Sequence, residues 1–208
     1  MASNRSAVHE REDAALVEAL RLAVGALEGA EIPHLVFGGI AAVLYGRSHA
    51  VKDADVLVRG ADADRALAVL ERAGFETEVD NPNWLYKARR DEQIVDVIFQ
   101  VKGGIHLDDE MLARGRRAEF EGVPITLVSP EDALLMESVS FGAETPRHWF
   151  NALAILSQQR LDWDIVQDRA RLAPRRMLSL LVFAQGDLAV PDEVVKGLYQ
   201  LVYEPEGP

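Results

Sequence analysis

Apolar residues recur at two different periods along this chain, and the change between them marks its organisation. Residues 1–10 are polar and unperiodic. From about Asp13 to Leu27 the apolar positions Leu16, Leu20, Val24 and Leu27 share one helical face, predicting a helix. Ile32-Pro33 interrupts it, and His34-Leu35-Val36-Phe37 reads as a short buried strand. After Gly38-Gly39, the run from Ile40 to Tyr45 has helix-forming content and stops at Gly46. Ala54 to Val58 predicts the next strand. Asp62 then caps a helix running through Leu67, Leu70 and Ala73, which Gly74 closes. Phe75 to Val79, Trp84 to Ala88 and Ile94 to Phe99 predict three further strands, the last two a hairpin across Arg90-Asp91-Glu92.

Beyond Gly103-Gly104 the pattern shifts. Asp108 to Arg117 predicts a helix and Val123 to Val128 a strand. Ser129-Pro130-Glu131-Asp132 then has the order of a helix start: a hydroxyl cap, proline at the first position, and acids facing the helix dipole. Only helical patterns follow, over residues 131–140, 146–158, 163–172, 175–184 and 192–202. The expected fold is an α/β domain with a mixed sheet (α+β) over residues 1–128, followed by a C-terminal helical bundle over 129–208.

Charge narrows the range of partners. Lys and Arg total 22 against 34 Asp and Glu, a net charge of −12, so long-range repulsion disfavours an extended nucleic acid. Without cysteine there is no disulfide framework, thiolate nucleophile or zinc-thiolate site. The polar first residues lack a signal-peptide core, and no apolar run reaches membrane-spanning length, so a cytoplasmic protein with no membrane partner is expected.

Three features carry candidate chemistry. Gly38-Gly39 stands where a strand hands over to a helix, a place where backbone N–H groups can approach an anion; alone it is more readily read as a turn. Fourteen residues after Gly39, Asp53-Ala54-Asp55 enters a strand, and side chains at i and i+2 share a face. Two converging carboxylates repel unless a cation lies between them, although an isolated Asp-x-Asp is better read as a solvated strand edge. The third feature, Asp96, stands between Val95 and Val97 on a strand predicted to lie in the core. There a carboxylate costs several kcal/mol unless it is metal-bound or paired, with Arg47 or Arg89 as candidate partners. Taken together, the three favour a hard, oxygen-seeking cation such as magnesium.

Gly-Gly opening a helix, Asp-x-Asp on the next strand and a third Asp on a later one resembles the DNA polymerase beta-like nucleotidyltransferases. The stretches 37–46 and 52–58 look like the small bacterial members, and residues 146–153 with 161–164 resemble the helical tail of an uncharacterised branch. The chain departs from that pattern at three places. Val51 stands where the family often has a hydroxyl residue. Glu137 lies where many relatives place Lys, and Asn151 where they commonly carry Asp.

The resemblance implies transfer of a nucleoside monophosphate from a nucleoside triphosphate to an acceptor hydroxyl, with release of pyrophosphate. The acceptor is unspecified: a small molecule, a protein or an RNA end. Two Mg2+ ions (or Mn2+) are implied, held by Asp53, Asp55 and Asp96, with Asp96 on the acceptor side and able to take the hydroxyl proton. Gly38 and Gly39 would cradle the β- and γ-phosphates, with Arg47 as a further phosphate contact. Lys52 reads as a surface residue, and Lys87, Arg89 and Arg90 as hairpin charges. Trp149 reads as core, His148 as a histidine without an evident partner, and Asp108-Asp109 as a helix start. A second reading keeps the fold without catalysis, as a nucleotide- or partner-binding module such as one half of a toxin–antitoxin pair.

Overall fold

The computed structural model describes residues 2–48 and 50–204, with side chains from residue 14 onward. The chain forms two compact units. Met1–Leu44, His49–Gln100 and His106–Val128 make the first; Tyr45–Ser48, Val101–Ile105 and Ser129–Pro208 make the second.

The first unit is built on a mixed seven-stranded sheet. Its strands are β1 (His34–Phe37), β2 (Ala54–Val58), β3 (Glu76–Asn81), β4 (Leu85–Arg90), β5 (Gln93–Ile98), β6 (Arg116–Phe120) and β7 (Val123–Leu127). They lie in the order β3-β4-β5-β2-β1-β7-β6. The β2–β5 and β1–β7 pairs are parallel and the rest antiparallel. Its helices are α1 (Ala2–Gly29), α2 (Gly38–Leu44), α3 (Ala63–Arg72) and α4 (Asp109–Arg114). Paired residues on neighbouring strands share a face, so the register defines rows across the sheet. One row is Val36, Val56, Val97 and Tyr86. The Tyr86 hydroxyl donates to Asp64 of α3 at 2.9 Å, which places α3 over that face. The apolar stripe of α1 (Leu16, Leu20, Val24 and Leu27) is fully withdrawn from water and packs toward β5, β7 and α3. Burying each such side chain contributes about 1.5–3 kcal/mol. The opposite row is Glu78, Lys87, Asp96, Asp55 and Phe37, a polar line across a sheet whose other face is core.

The second unit holds α5 (Pro130–Ser140), α6 (Arg147–Gln158), α7 (Trp163–Ala170), α8 (Pro174–Ala184) and α9 (Asp192–Tyr203). Every residue of α5 from Pro130 to Val139 is buried, as expected of a helix enclosed by others. Ser129 caps it: its Oγ accepts from the Asp132 N–H at 3.2 Å and donates to Asp132 Oδ2 at 2.9 Å. Three acids on this helix are buried. Glu131 accepts from the Asp162 N–H at 3.0 Å, Asp132 pairs with Arg169 at 2.8 Å, and Glu137 binds His148 and Asn151. Glu131 and Asp132 therefore tie α5 to α7 rather than simply facing the helix dipole in water.

A mixed-sheet domain followed by helices is the observed fold class, but several local expectations need correction. The helix α1 begins at Ala2 rather than near Asp13. Its first turns carry no apolar period, so the pattern gives no sign of them. The Asp62 side chain makes no cap hydrogen bond; a short 3-10 turn, Gly60–Asp62, leads into α3 and Asp62 pairs with Arg65 at 3.5 Å. The helix expected to reach Arg117 stops at Arg114, and the unforeseen strand β6 follows. Glu121 and Gly122, both at positive φ (47° and 78°), turn β6 into β7, the backbone twist that a two-residue hairpin requires. Asp108 does cap α4, accepting from the Met111 N–H at 2.7 Å. Trp149 is half-buried against Phe141 and Phe183 rather than core.

Candidate active site

The register places Asp55 of β2 beside Asp96 of β5 on adjacent parallel strands, with both side chains on one face. Asp53, two residues before Asp55, falls on the same side as β2 begins, and its charge acts on Asp96. All three are partly buried. Burial, then the Asp53 charge and a smaller push from Asp80, drive the Asp96 carboxyl up to about 6, against weaker opposition from Lys87 and Arg89. Asp96 Oδ1 is buried and has no hydrogen-bond partner among the described residues.

The basic side chains near this row are engaged elsewhere. Lys87, the partner of Asp96 in register, is ion-paired with Asp80 at 2.9 Å, and Arg89 with Glu78 at 3.7 Å. The Asp80 hydrogen bond, with the Asp80 and Asp96 charges, holds the Lys87 ammonium more firmly protonated than usual despite its burial. Arg90 donates to the Ala73 carbonyl at 3.4 Å, and Lys52 is exposed. Arg89 is therefore not the salt-bridge partner considered for Asp96.

The Gly pair opens α2 immediately after β1. Gly38 has φ +59°, and a Cβ built on it would lie 1.9 Å from Asp55 Oδ2 and 2.6 Å from Asp55 Cγ. The missing side chain thus makes the room in which the Asp55 carboxylate sits. This seat for a carboxylate is a role of Gly38 distinct from the phosphate cradle that the sequence suggests. The geometry follows from the β1–β2 register: Phe37 pairs with Asp55, so the residue just after β1 meets that carboxylate.

Arg47 belongs to the second unit. Its guanidinium carbon lies over the Phe150 ring, 5.4 Å from the centroid. His148, which the sequence left without a partner, is 2.7 Å from Glu137 Oε2 through Nδ1, and Asn151 donates to Glu137 Oε1 at 3.2 Å. His106 is exposed, with Nδ1 3.0 Å from the Phe99 carbonyl.

Among the described residues no group of three or more His, Asp and Glu side chains forms a ready-made metal cage. A magnesium ion does not require one, since it keeps several waters and is shared between one or two carboxylates and substrate phosphates. An all-carboxylate donor set with one orphaned, desolvated oxygen fits such an ion.

A family model described as "Uncharacterised nucleotidyltransferase" matches residues 1–184. The chain belongs to this nucleotidyltransferase family. Solved structures agree in fold. The antibiotic-resistance factor ANT(2'')-Ia superposes with a TM-score of 0.54 at 15% identity, covering 84% of this chain and 99% of its own. A second structure of that protein, in complex with adenylyl-2''-tobramycin, gives 0.53 at 15% identity, covering 78% and 98%. An antigenic nucleotidyltransferase-like protein from Paracoccidioides brasiliensis gives 0.51 at 14% identity, covering 89% and 96%. No curated protein matches the chain. The family and fold place it in the polymerase beta-like superfamily. No helix among the described residues is long and apolar enough to cross a membrane.

Proposed function

We propose that this nucleotidyltransferase moves a nucleoside monophosphate from a nucleoside triphosphate to an acceptor hydroxyl, releasing pyrophosphate, with Asp53, Asp55 and Asp96 as its working carboxylates. One observation carries the reading: Asp55 and Asp96 stand side by side on one sheet face, under the charge of Asp53, and Asp96 has a buried oxygen that no described residue satisfies. Acids so arranged destabilise an empty fold, which a bound cation would reverse.

Asp53 and Asp55 would hold Mg2+, or Mn2+, on the triphosphate, and Asp96 would hold it on the acceptor side. When bound, it would neutralise phosphate charge and lower the barrier to in-line attack. Asp96 takes the acceptor hydroxyl's proton, directly or through a water. Gly38 keeps the Asp55 carboxylate in place and, with Gly39, exposes backbone N–H groups at the start of α2 to the β- and γ-phosphates. The net charge of −12 favours a small acceptor over an extended polyanion. ANT(2'')-Ia, which shares this fold, has been seen in complex with adenylyl-2''-tobramycin, a small molecule carrying an adenylyl group.

Calorimetric titration of ATP, GTP, CTP and UTP tests the proposal. At least one should bind in magnesium and lose most of its affinity in excess chelator, and Asp55→Asn should abolish the magnesium dependence. Equal affinity with and without the ion for every nucleotide would sink it.

A further inference from the structure

Lys87 has an acid on either side of it in register and is ion-paired with neither. On β4 it stands between Glu78 of β3 and Asp96 of β5, and the three side chains share one face of the sheet. Cross-strand neighbours of opposite charge ordinarily attract one another. Here Glu78 is taken by Arg89, at 3.7 Å, and the Lys87 ammonium reaches past both register partners to Asp80, at 2.9 Å. Asp80 comes from an irregular stretch of β3. The pairs Glu78–Lys87 and Asn81–Leu85 leave Val79 and Asp80 opposite Tyr86 alone, on an edge strand of the sheet. An extra residue of this kind re-aims side chains, and such bulges recur at sheet edges beside active sites. The consequence falls on Asp96. Its Oδ1 is buried and has no hydrogen-bond partner among the described residues, although a cation stands on the next strand. Asp80, Lys87 and Asp96 all belong to the first unit.

We propose that Asp80 is a positioning residue: it holds the Lys87 ammonium off Asp96, so that this carboxylate is left to a divalent cation rather than to an ion pair within the sheet. This rests on the reading of Asp96 as a metal ligand given above. Lys87 carries its charge on a flexible four-carbon stem. Freed from Asp80, it would turn to the acid beside it, since Arg89 already holds Glu78. A cation within about 4–6 Å of a carboxylate interacts strongly with it, and an incoming metal would then have to displace the ammonium.

The test titrates Mn2+ alone, read by water-proton relaxation, into the full chain as wild type, Asp80→Asn, Lys87→Met and the Asp80→Asn/Lys87→Met double variant. Only binding that Asp96→Asn removes is scored, and a thermal melt of each variant separates lost binding from lost fold. Asp80→Ser repeats the Asn test with a shorter neutral side chain. Asp80→Asn should weaken the metal about tenfold, the low end of what a cation at that distance does to a carboxylate. Lys87→Met should bind at least as tightly as wild type. In the Lys87→Met background, Asp80→Asn should cost only about twofold, the effect of one distant, screened charge. An equal loss in both backgrounds would overturn the inference, because Asp80 would then act on the metal through its own charge alone. Wild-type affinity in Asp80→Asn would overturn it too, while leaving Asp96 a ligand. If wild type shows no Asp96-dependent binding, the metal reading falls and the inference with it.

Discussion

Replacing Gly38 with alanine adds a single methyl group and tests how the Asp55 carboxylate is placed. The new Cβ would arrive 1.9 Å from Asp55 Oδ2, 2.6 Å from its Cγ and 3.0 Å from its Cβ, far inside van der Waals contact. Because the two nearest atoms belong to the carboxylate head, the first response is rotation of Asp55 away from its present direction. Alanine at φ +59° adds a backbone penalty of about 1–2 kcal/mol, and relieving the overlap adds about 1–3 kcal/mol. The expected loss is therefore about 2–5 kcal/mol in a urea melt, with magnesium-dependent nucleotide binding falling more than global stability requires. A displacement of about 1 Å in a positioned group can cost on the order of a hundredfold in rate. Asp55→Ala in the Gly38→Ala background removes the collision and should return the overlap part of the loss, leaving the backbone part. If Gly38→Ala melts and binds nucleotide like wild type, the carboxylate is not lodged where the structure places it.

Two further predictions concern buried acids. The raised Asp96 pKa means the native state prefers the protonated carboxyl, so that preference stabilises fully below about pH 4 and is lost as pH rises through about 6. At pH 7 without metal, Asp96→Asn should therefore be more stable than wild type by at most about 3 kcal/mol, less as solvent screens the partly exposed group, with the gap closing near pH 4; a less stable variant at pH 7 would point to a lost cationic partner instead. Arg169→Met should destabilise by about 3–5 kcal/mol, because Asp132, fully buried 2.8 Å from the guanidinium, loses its counter-charge; a urea midpoint within error of wild type would refute the pairing.

Much of the fold was legible because periodicity and punctuation agreed. The apolar stripe of α1, the alternating Val95 and Val97 of β5 and the Ser129-Pro130 start of α5 each follow from short-range rules. The strand β6 escaped because Arg116-Arg117-Ala118-Glu119-Phe120 forms a sheet edge with only Phe120 buried, so there was no alternation to read. The three carboxylates were legible as residues, since acids among strand valines stand out. Their mutual placement depends on β2 pairing with β5, a partner some forty residues away in sequence. The seat of Asp55 against Gly38 likewise needs the antiparallel β1–β2 register.

The buried acids of α5 show what a linear reading cannot supply. Glu131 and Asp132 carry the sequence signature of a helix start, and Ser129 does cap the helix, so nothing local announces that both side chains are buried. Their partners, Asp162 and Arg169, lie on and just before α7. Glu137 is the more instructive case. It and Asn151 are two of the three positions at which the sequence departs from the family resemblance. In the fold they are partners: Asn151 donates to one carboxylate oxygen at 3.2 Å, and His148 Nδ1 stands 2.7 Å from the other. The acid is on α5, and α6 answers with an amide and an imidazole. A buried carboxylate costs several kcal/mol when stranded, so Glu137 depends on these donors across from it. Glu137 and Asn151 therefore share a single buried contact, and neither belongs to the row formed by Asp55 and Asp96.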